Sequence, residues 1–138
     1  MKIKKQKGNI LINTDGKEVA IMTNFDDSFA GKDLVVNITD SPMDSHKVVE
    51  TPGEYEISDV LVNVYGFGDN LDKPAIISID SDENIKILYL SGEVDALEKS
   101  VIDRLPNTNI LLIELTKENI SKKLQIVSDI EPDIFVPL

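Results

Sequence analysis

The chain contains no cysteine and a single histidine, His46. Without cysteine there are no disulfides, no thiolate nucleophiles and no Cys-ligated zinc or iron–sulfur centres. One histidine is too few for a zinc site built from several imidazoles. Aromatic residues make up only 5% of the chain, so the aromatic platforms on which nucleic-acid bases stack are scarce. Positive charge is also in short supply. Fourteen Lys and Arg stand against 25 Asp and Glu, which leaves a net charge of −11. A surface that acidic repels phosphate backbones and anionic lipid, so neither nucleic acid nor a membrane is the expected partner. No apolar run approaches the roughly 18–20 residues that cross a bilayer. The N-terminal eight residues carry Lys2, Lys4, Lys5 and Lys7, but the apolar stretch after them breaks at Asp15-Gly16, too early for the core of a secretory signal. A basic edge strand and a cytoplasmic location are the expectation.

What is present is an ordinary globular balance, 138 residues with 41% hydrophobic and 28% charged. A chain of this size forms one domain, 1–138, and buries roughly two-thirds of its unfolded surface. The first half is punctuated as strands. Apolar runs flank Asp15-Gly16, a strong hairpin signal. Further strand-type runs lie at 34–38, 48–49, 55–57, 60–65, 75–80 and 85–90. The second half changes period. Val94, Leu97, Val101 and Leu105 fall on one face of a helix that ends before Pro106. Thr116 is placed to cap a second helix over 117–130, with Ile120, Leu124, Val127 and Ile130 inward and Lys122 and Lys123 on its polar side. Strand-length runs at 109–115 and 133–136 complete an α/β pattern of sheets with helices outside.

Common catalytic patterns are missing. No Gly-x-Ser-x-Gly elbow accompanies His46, which sits in the polar stretch Asp44-Ser45-His46-Lys47 and reads as solvated. Asp80-Ser81-Asp82-Glu83 lacks the glycine and the distal glutamate of an EF-hand and reads as a hairpin turn. Gly66-Phe67-Gly68 is followed by no helix signal. Ser91-Gly92-Glu93 leads into the first predicted helix with a carboxylate where an anion would bind, which disfavours a nucleotide site.

Several ordered stretches resemble the small metallo-β-lactamase-like hydrolases. Val49-Glu50-Thr51-Pro52-Gly53-Glu54-Tyr55-Glu56-Ile57 is similar to the element that follows the family's metal-binding loop. Ile87-Leu88-Tyr89-Leu90-Ser91-Gly92-Glu93 resembles its strand ending in Gly-Asp, where the Asp bridges two metals. Ile130-Glu131-Pro132-Asp133-Ile134-Phe135-Val136-Pro137 resembles the segment before its last metal-binding histidine, and 15–25 fits the same frame. The resemblance implies an αββα sandwich, reduced in size. It also implies a His-x-His-x-Asp-His zinc loop, and here the two part. Aligned on Asp44, the loop places Asp40, Pro42 and Ser45 where the three histidines would stand, and Glu93 replaces the bridging Asp.

Two carboxylates supply neither the number nor the type of ligands that zinc requires, and without metal no bound water reaches a pKa near 7. The expected protein is therefore a non-catalytic member of the fold, with no cofactor and no metal ligands. It would act as a binding or assembly module with a protein partner or a second copy of itself. Asp40, Asp44, His46 and Glu93 are the candidate residues of a vestigial cleft, with Asp44 and Glu93 expected to face it from neighbouring strand ends. The competing expectation is a hydrolase whose site is rebuilt around these four residues or completed by a partner chain.

Overall fold

A computed structural model of the protein describes residues 1–81 and 84–138; Asp82 and Glu83, within the stretch 80–83 read from the sequence as a hairpin turn, lie outside the described residues. The strands form two mixed sheets. The first runs in order β1 (Lys2–Gln6), β2 (Asn9–Thr14), β3 (Lys17–Met22), β4 (Leu34–Asn37) and β5 (Val48–Val49). Its first three strands pair antiparallel and its last three parallel. The second sheet runs β11 (Ile134–Pro137), β10 (Ile110–Ile113), β9 (Lys86–Leu90), β8 (Ile76–Asp80), β7 (Val60–Tyr65) and β6 (Gly53–Ile57). Strands β6 to β9 form an antiparallel meander, and β9, β10 and β11 are parallel.

Local chemistry explains the hairpins. Lys7-Gly8, Asp15-Gly16 and Ser58-Asp59 each connect two paired strands, and all six residues have positive φ. Two central residues with φ > 0 match the right-handed twist of the flanking strands, and this is why Asp-Gly marks such a turn.

One apolar cluster joins the two sheets: Ile10, Ile12, Ile21 and Val36 from the first meet Val62, Ile77, Ile79 and Tyr89 from the second. A second cluster covers the other face of the β9–β10 region, where Leu88, Leu90, Leu111 and Ile113 pack with Val94 and Ile126. Phe29 and Met43 cover the remaining face of the first sheet over Leu11, Ala20 and Val35. Strands buried on both faces read as nearly continuous hydrophobic runs, as β3, β4 and β9 do.

The helical half departs from the expected boundaries. The predicted helix over 94–105 reduces to one turn, α1 (Lys99–Ile102). The Ser91 carbonyl accepts from the Val94 N–H in a tight turn, which holds the chain out of the i to i+4 pattern. Glu98, the residue before α1, is extended and makes no capping bond, so nothing offsets the cost of nucleating a longer helix. Val94, Leu97 and Leu105 still pack on the second cluster, so the apolar stripe reports contact with the sheet without the helix.

The second helix, α2, spans Ile120–Ile130 and starts after Asn119, three residues later than expected. Of the expected inward residues, Val127 and Ile130 do pack on the second cluster, but the face is rotated at its start. Lys123 and Ile126 are buried, whereas Ile120 and Leu124 are each 44% exposed. Lys123 is thus not on the polar side of the helix.

Asn9 ties the start of the first sheet to the end of β3. Its buried Oδ1 accepts from the Thr23 and Asn24 N–H groups at 2.8 Å each, and its Nδ2 donates to the Asn24 carbonyl at 2.8 Å. Asn9→Ala leaves two backbone donors without an acceptor, so it is expected to cost about 1–3 kcal/mol in denaturant unfolding. Asn13→Ala, at an exposed position of the same strand, should stay within about 0.5 kcal/mol of wild type.

Candidate functional site

The carboxyl ends of the parallel strands are where open α/β sheets place ligands. Here they converge on a cleft of about 270 Å³. Thr23 and Ile38 follow β3 and β4, Ser91, Gly92 and Glu93 follow β9, and Glu114 follows β10. Lys73 and the Tyr89 side chain complete the lining.

Below the cleft lies a buried polar group. Lys123 of α2 has no exposed surface, and its Nζ donates to the Ser91 carbonyl at 3.1 Å and the Gly92 carbonyl at 3.2 Å. Desolvation pulls its pKa below the usual lysine value, while the Glu114 and Asp95 carboxylates pull it back up. Tyr89, 1% exposed, donates its hydroxyl to Glu114 Oε1 at 3.1 Å. Burial first, and then the charge of Glu114, push the Tyr89 phenol well above its ordinary range. A Cβ on Gly92 would stand 3.0 Å from Glu114 Oε2, so the missing side chain leaves room for this carboxylate. The buried Ser91 Oγ has no hydrogen-bond partner among the described residues.

The loop over 39–47 is organised by Asn37 and Glu50. Asn37 Nδ2 donates to the Ser41 carbonyl at 2.8 Å and to Glu50 Oε2 at 2.7 Å, and Asn37 Oδ1 accepts from the Thr39 N–H and hydroxyl. Glu50 Oε2 also accepts from the Met43 N–H at 3.3 Å. Met43 is thereby turned inward, against Phe29 and Val35.

The four residues singled out in the sequence fare differently. Glu93 lines the cleft. Asp40 reaches it through an ion pair with Lys73 at 3.3 Å, an exposed contact worth less than about 1 kcal/mol. Asp44 and His46 are exposed on the loop, and neither lines the cleft. Asp44 therefore does not face Glu93 across it.

Sequence reasoning missed Lys73, Tyr89, Glu114 and Lys123. Only Lys123 left a signal, since it stands three and four residues before Ile126 and Val127 and so shares their helix face. A larger cavity, about 570 Å³, lies elsewhere, between the 66–71 loop and residues 96–101, with an apolar lining that includes Phe67, Leu71 and Leu97.

The chain matches no protein-family model, and no curated protein matches it in sequence. Among solved structures it is similar to a Thermotoga maritima protein assigned to the Zn-dependent hydrolases of the metallo-β-lactamase superfamily. The TM-score is 0.75 at 14% identity, over 94% of this chain and 70% of the other. This likeness is one of fold.

The zinc that such a family implies does not fit the residues present. Zinc takes three or four N, S or O donors at about 2.0–2.3 Å. Among the described residues no group of three or more His, Cys, Asp or Glu is placed to hold a metal ion. The cleft instead offers two glutamates, one of them bound to Tyr89, and the ammonium of Lys73, which would repel a second cation.

The buried phenol and ammonium contribute opposite slopes to the alkaline stability. In the unfolded chain Tyr89 ionises near pH 10, whereas in the folded chain it holds its proton, so stability is lost as pH rises above about 10. Lys123 acts in the opposite sense at lower pH, because its depressed pKa makes stability rise as pH approaches its unfolded value of about 10.5. Tyr89→Phe is expected to flatten the fall above pH 10, with Tyr65, also shifted upward, supplying the residual slope. At neutral pH the same change should cost about 1 kcal/mol for the lost bond to Glu114. Chemical denaturation from pH 7 to 11 measures both effects.

Proposed function

We propose that the chain is a reduced αββα sandwich of the metallo-β-lactamase type, a single domain over 1–138, that works as a non-catalytic binding or assembly module. The observation that carries this reading is the source of positive charge around the cleft. The ammonium of Lys73 lines it and pairs with Asp40, and that of Lys123 holds the Ser91 and Gly92 carbonyls just before Glu93. By the sequence resemblance, Asp40 stands at a histidine position of the zinc loop and Glu93 at the bridging acid. Asp40 is paired with Lys73, and Glu93 shares the lining of the cleft with that lysine. Ammonium groups in these places would disfavour a further cation, and the fold does not depend on one because the core is apolar packing.

The supporting facts are consistent in sign. No helix among the described residues is long and apolar enough to cross a membrane. The net charge of −11 disfavours nucleic acid, which leaves protein surfaces as the partners of choice. Purified protein is expected to carry far less than one equivalent of zinc, manganese or iron by elemental analysis. It should not hydrolyse β-lactam, thioester or phosphodiester probes above the blank. Stoichiometric metal that survives dialysis against chelator, together with turnover of any of these probes, would overturn the reading.

A further inference from the structure

We propose that the protein self-associates head to tail, with the free edge of β1 in one copy pairing with the free edge of β6 in the next. The inference deepens the assembly side of the proposed function and rests on it. The two sheets end in four edge strands: β1 and β5 in the first, β11 and β6 in the second. Two of these edges are poor templates. β5 is only two residues long, and β11 carries Pro137, which has no N–H to donate. β1 and β6 are each five residues long, and both have residues on an outer face exposed.

These two edges carry opposite charge in matching positions. Ile3 of β1 and Tyr55 of β6 both pack against the main core cluster, so they mark the inner faces of their sheets. Lys2, Lys4, Glu54 and Glu56 are exposed and alternate with them. Setting Ile3 opposite Tyr55, in either strand direction, puts inner face beside inner face and places Lys2 and Lys4 opposite Glu54 and Glu56. Opposite charges across a strand pair stabilise it, and like charges destabilise it. A β1–β1 pair sets lysine against lysine and a β6–β6 pair sets glutamate against glutamate. Both symmetric dimers are therefore disfavoured, and the mixed pair is left. Such a contact is heterologous, so copies add in a row or close into a ring. The overall charge of −11 opposes the approach of two copies, so the association is weak and concentration-dependent.

The test is analytical ultracentrifugation of the full chain together with two charge-reversed variants, Lys2→Glu/Lys4→Glu and Glu54→Lys/Glu56→Lys. Wild type is expected to exceed its monomer mass of 15.3 kDa as concentration rises at low salt. Salt screens both the edge attraction and the overall repulsion, so the charge-reversed variants, compared at one ionic strength, isolate the edge contact. Each variant alone should be monomeric, because its two edges carry the same sign. An equimolar mixture should associate again, since the reversed edges complement one another. Far-UV circular dichroism checks that both variants are folded, and the recovery in the mixture shows it directly. Amide exchange in concentrated wild type should slow on β1 and β6 in particular.

A wild type that stays monomeric at all concentrations would overturn the proposal. So would variants that associate like wild type, a mixture that stays monomeric, or protection confined to other strands. A monomeric wild type that also lacks metal and hydrolysis would refute the strand pairing and leave the non-catalytic reading standing.

Discussion

A lysine ammonium with no exposed surface sits at the junction between α2 and the second sheet. Taking such a charge out of water costs several kcal/mol unless it is well partnered. Lys123 meets this demand with the Ser91 and Gly92 carbonyls and with the nearby carboxylates of Glu114 and Asp95. Its neighbour Lys122 reaches Asp95 at 3.7 Å, so two consecutive residues of the helix hold the chain that leaves β9. That hold fixes the direction in which Ser91, Gly92 and Glu93 depart from the strand. Tyr89 on β9 and Glu114 after β10 reach the same cleft and bond to each other there, and the hold accompanies the tight turn at Ser91–Val94.

Much of the sheet architecture was legible because its signals are local. Asp15-Gly16 marked a turn whose two residues both adopt positive φ, and the apolar runs at β3, β4 and β9 marked strands buried on both faces. The helical half was less legible because its pattern reports contact and not backbone conformation. Val94, Leu97, Val101 and Leu105 have helical spacing, yet only Lys99–Ile102 is helical. On α2 the choice between two faces was decided by tertiary contact. Ile120 and Leu124 looked inward by hydrophobicity, but the groups beneath the first turn are the Ser91 and Gly92 carbonyls, and a lysine satisfies them where an isoleucine would not, while Ile126 meets the apolar cluster further along. The cleft was read only in part, because Thr23, Lys73, Tyr89 and Glu114 lie far apart in the chain and carry no common motif. Glu93 was legible only through its place after the strand ending in Ser91-Gly92.

The likeness to a zinc-dependent hydrolase fold and the lack of a fitting zinc site are compatible because they depend on different atoms. The fold rests on an apolar cluster shared by both sheets, on primed hairpin turns, and on buried amides such as Asn9 and Asn37, none of which requires a metal. The loop after β4, which the resemblance would assign to zinc, is closed by Asn37 and Glu50, two side chains that satisfy its backbone and turn Met43 inward. A loop that satisfies its own polar groups has no need of a cation to order it.

The central claim is that the chain's own ammonium groups, and no bound metal, serve the cleft. It is tested most directly by thermal melting of the wild-type protein in chelator and then in excess zinc or manganese. A ligand that binds only the folded state raises its melting temperature by an amount that grows with the logarithm of its concentration over its Kd. The same melting temperature is expected in all three solutions, within about 1 °C. A rise of roughly 5 °C or more in either metal, reversed by chelator, would contradict it.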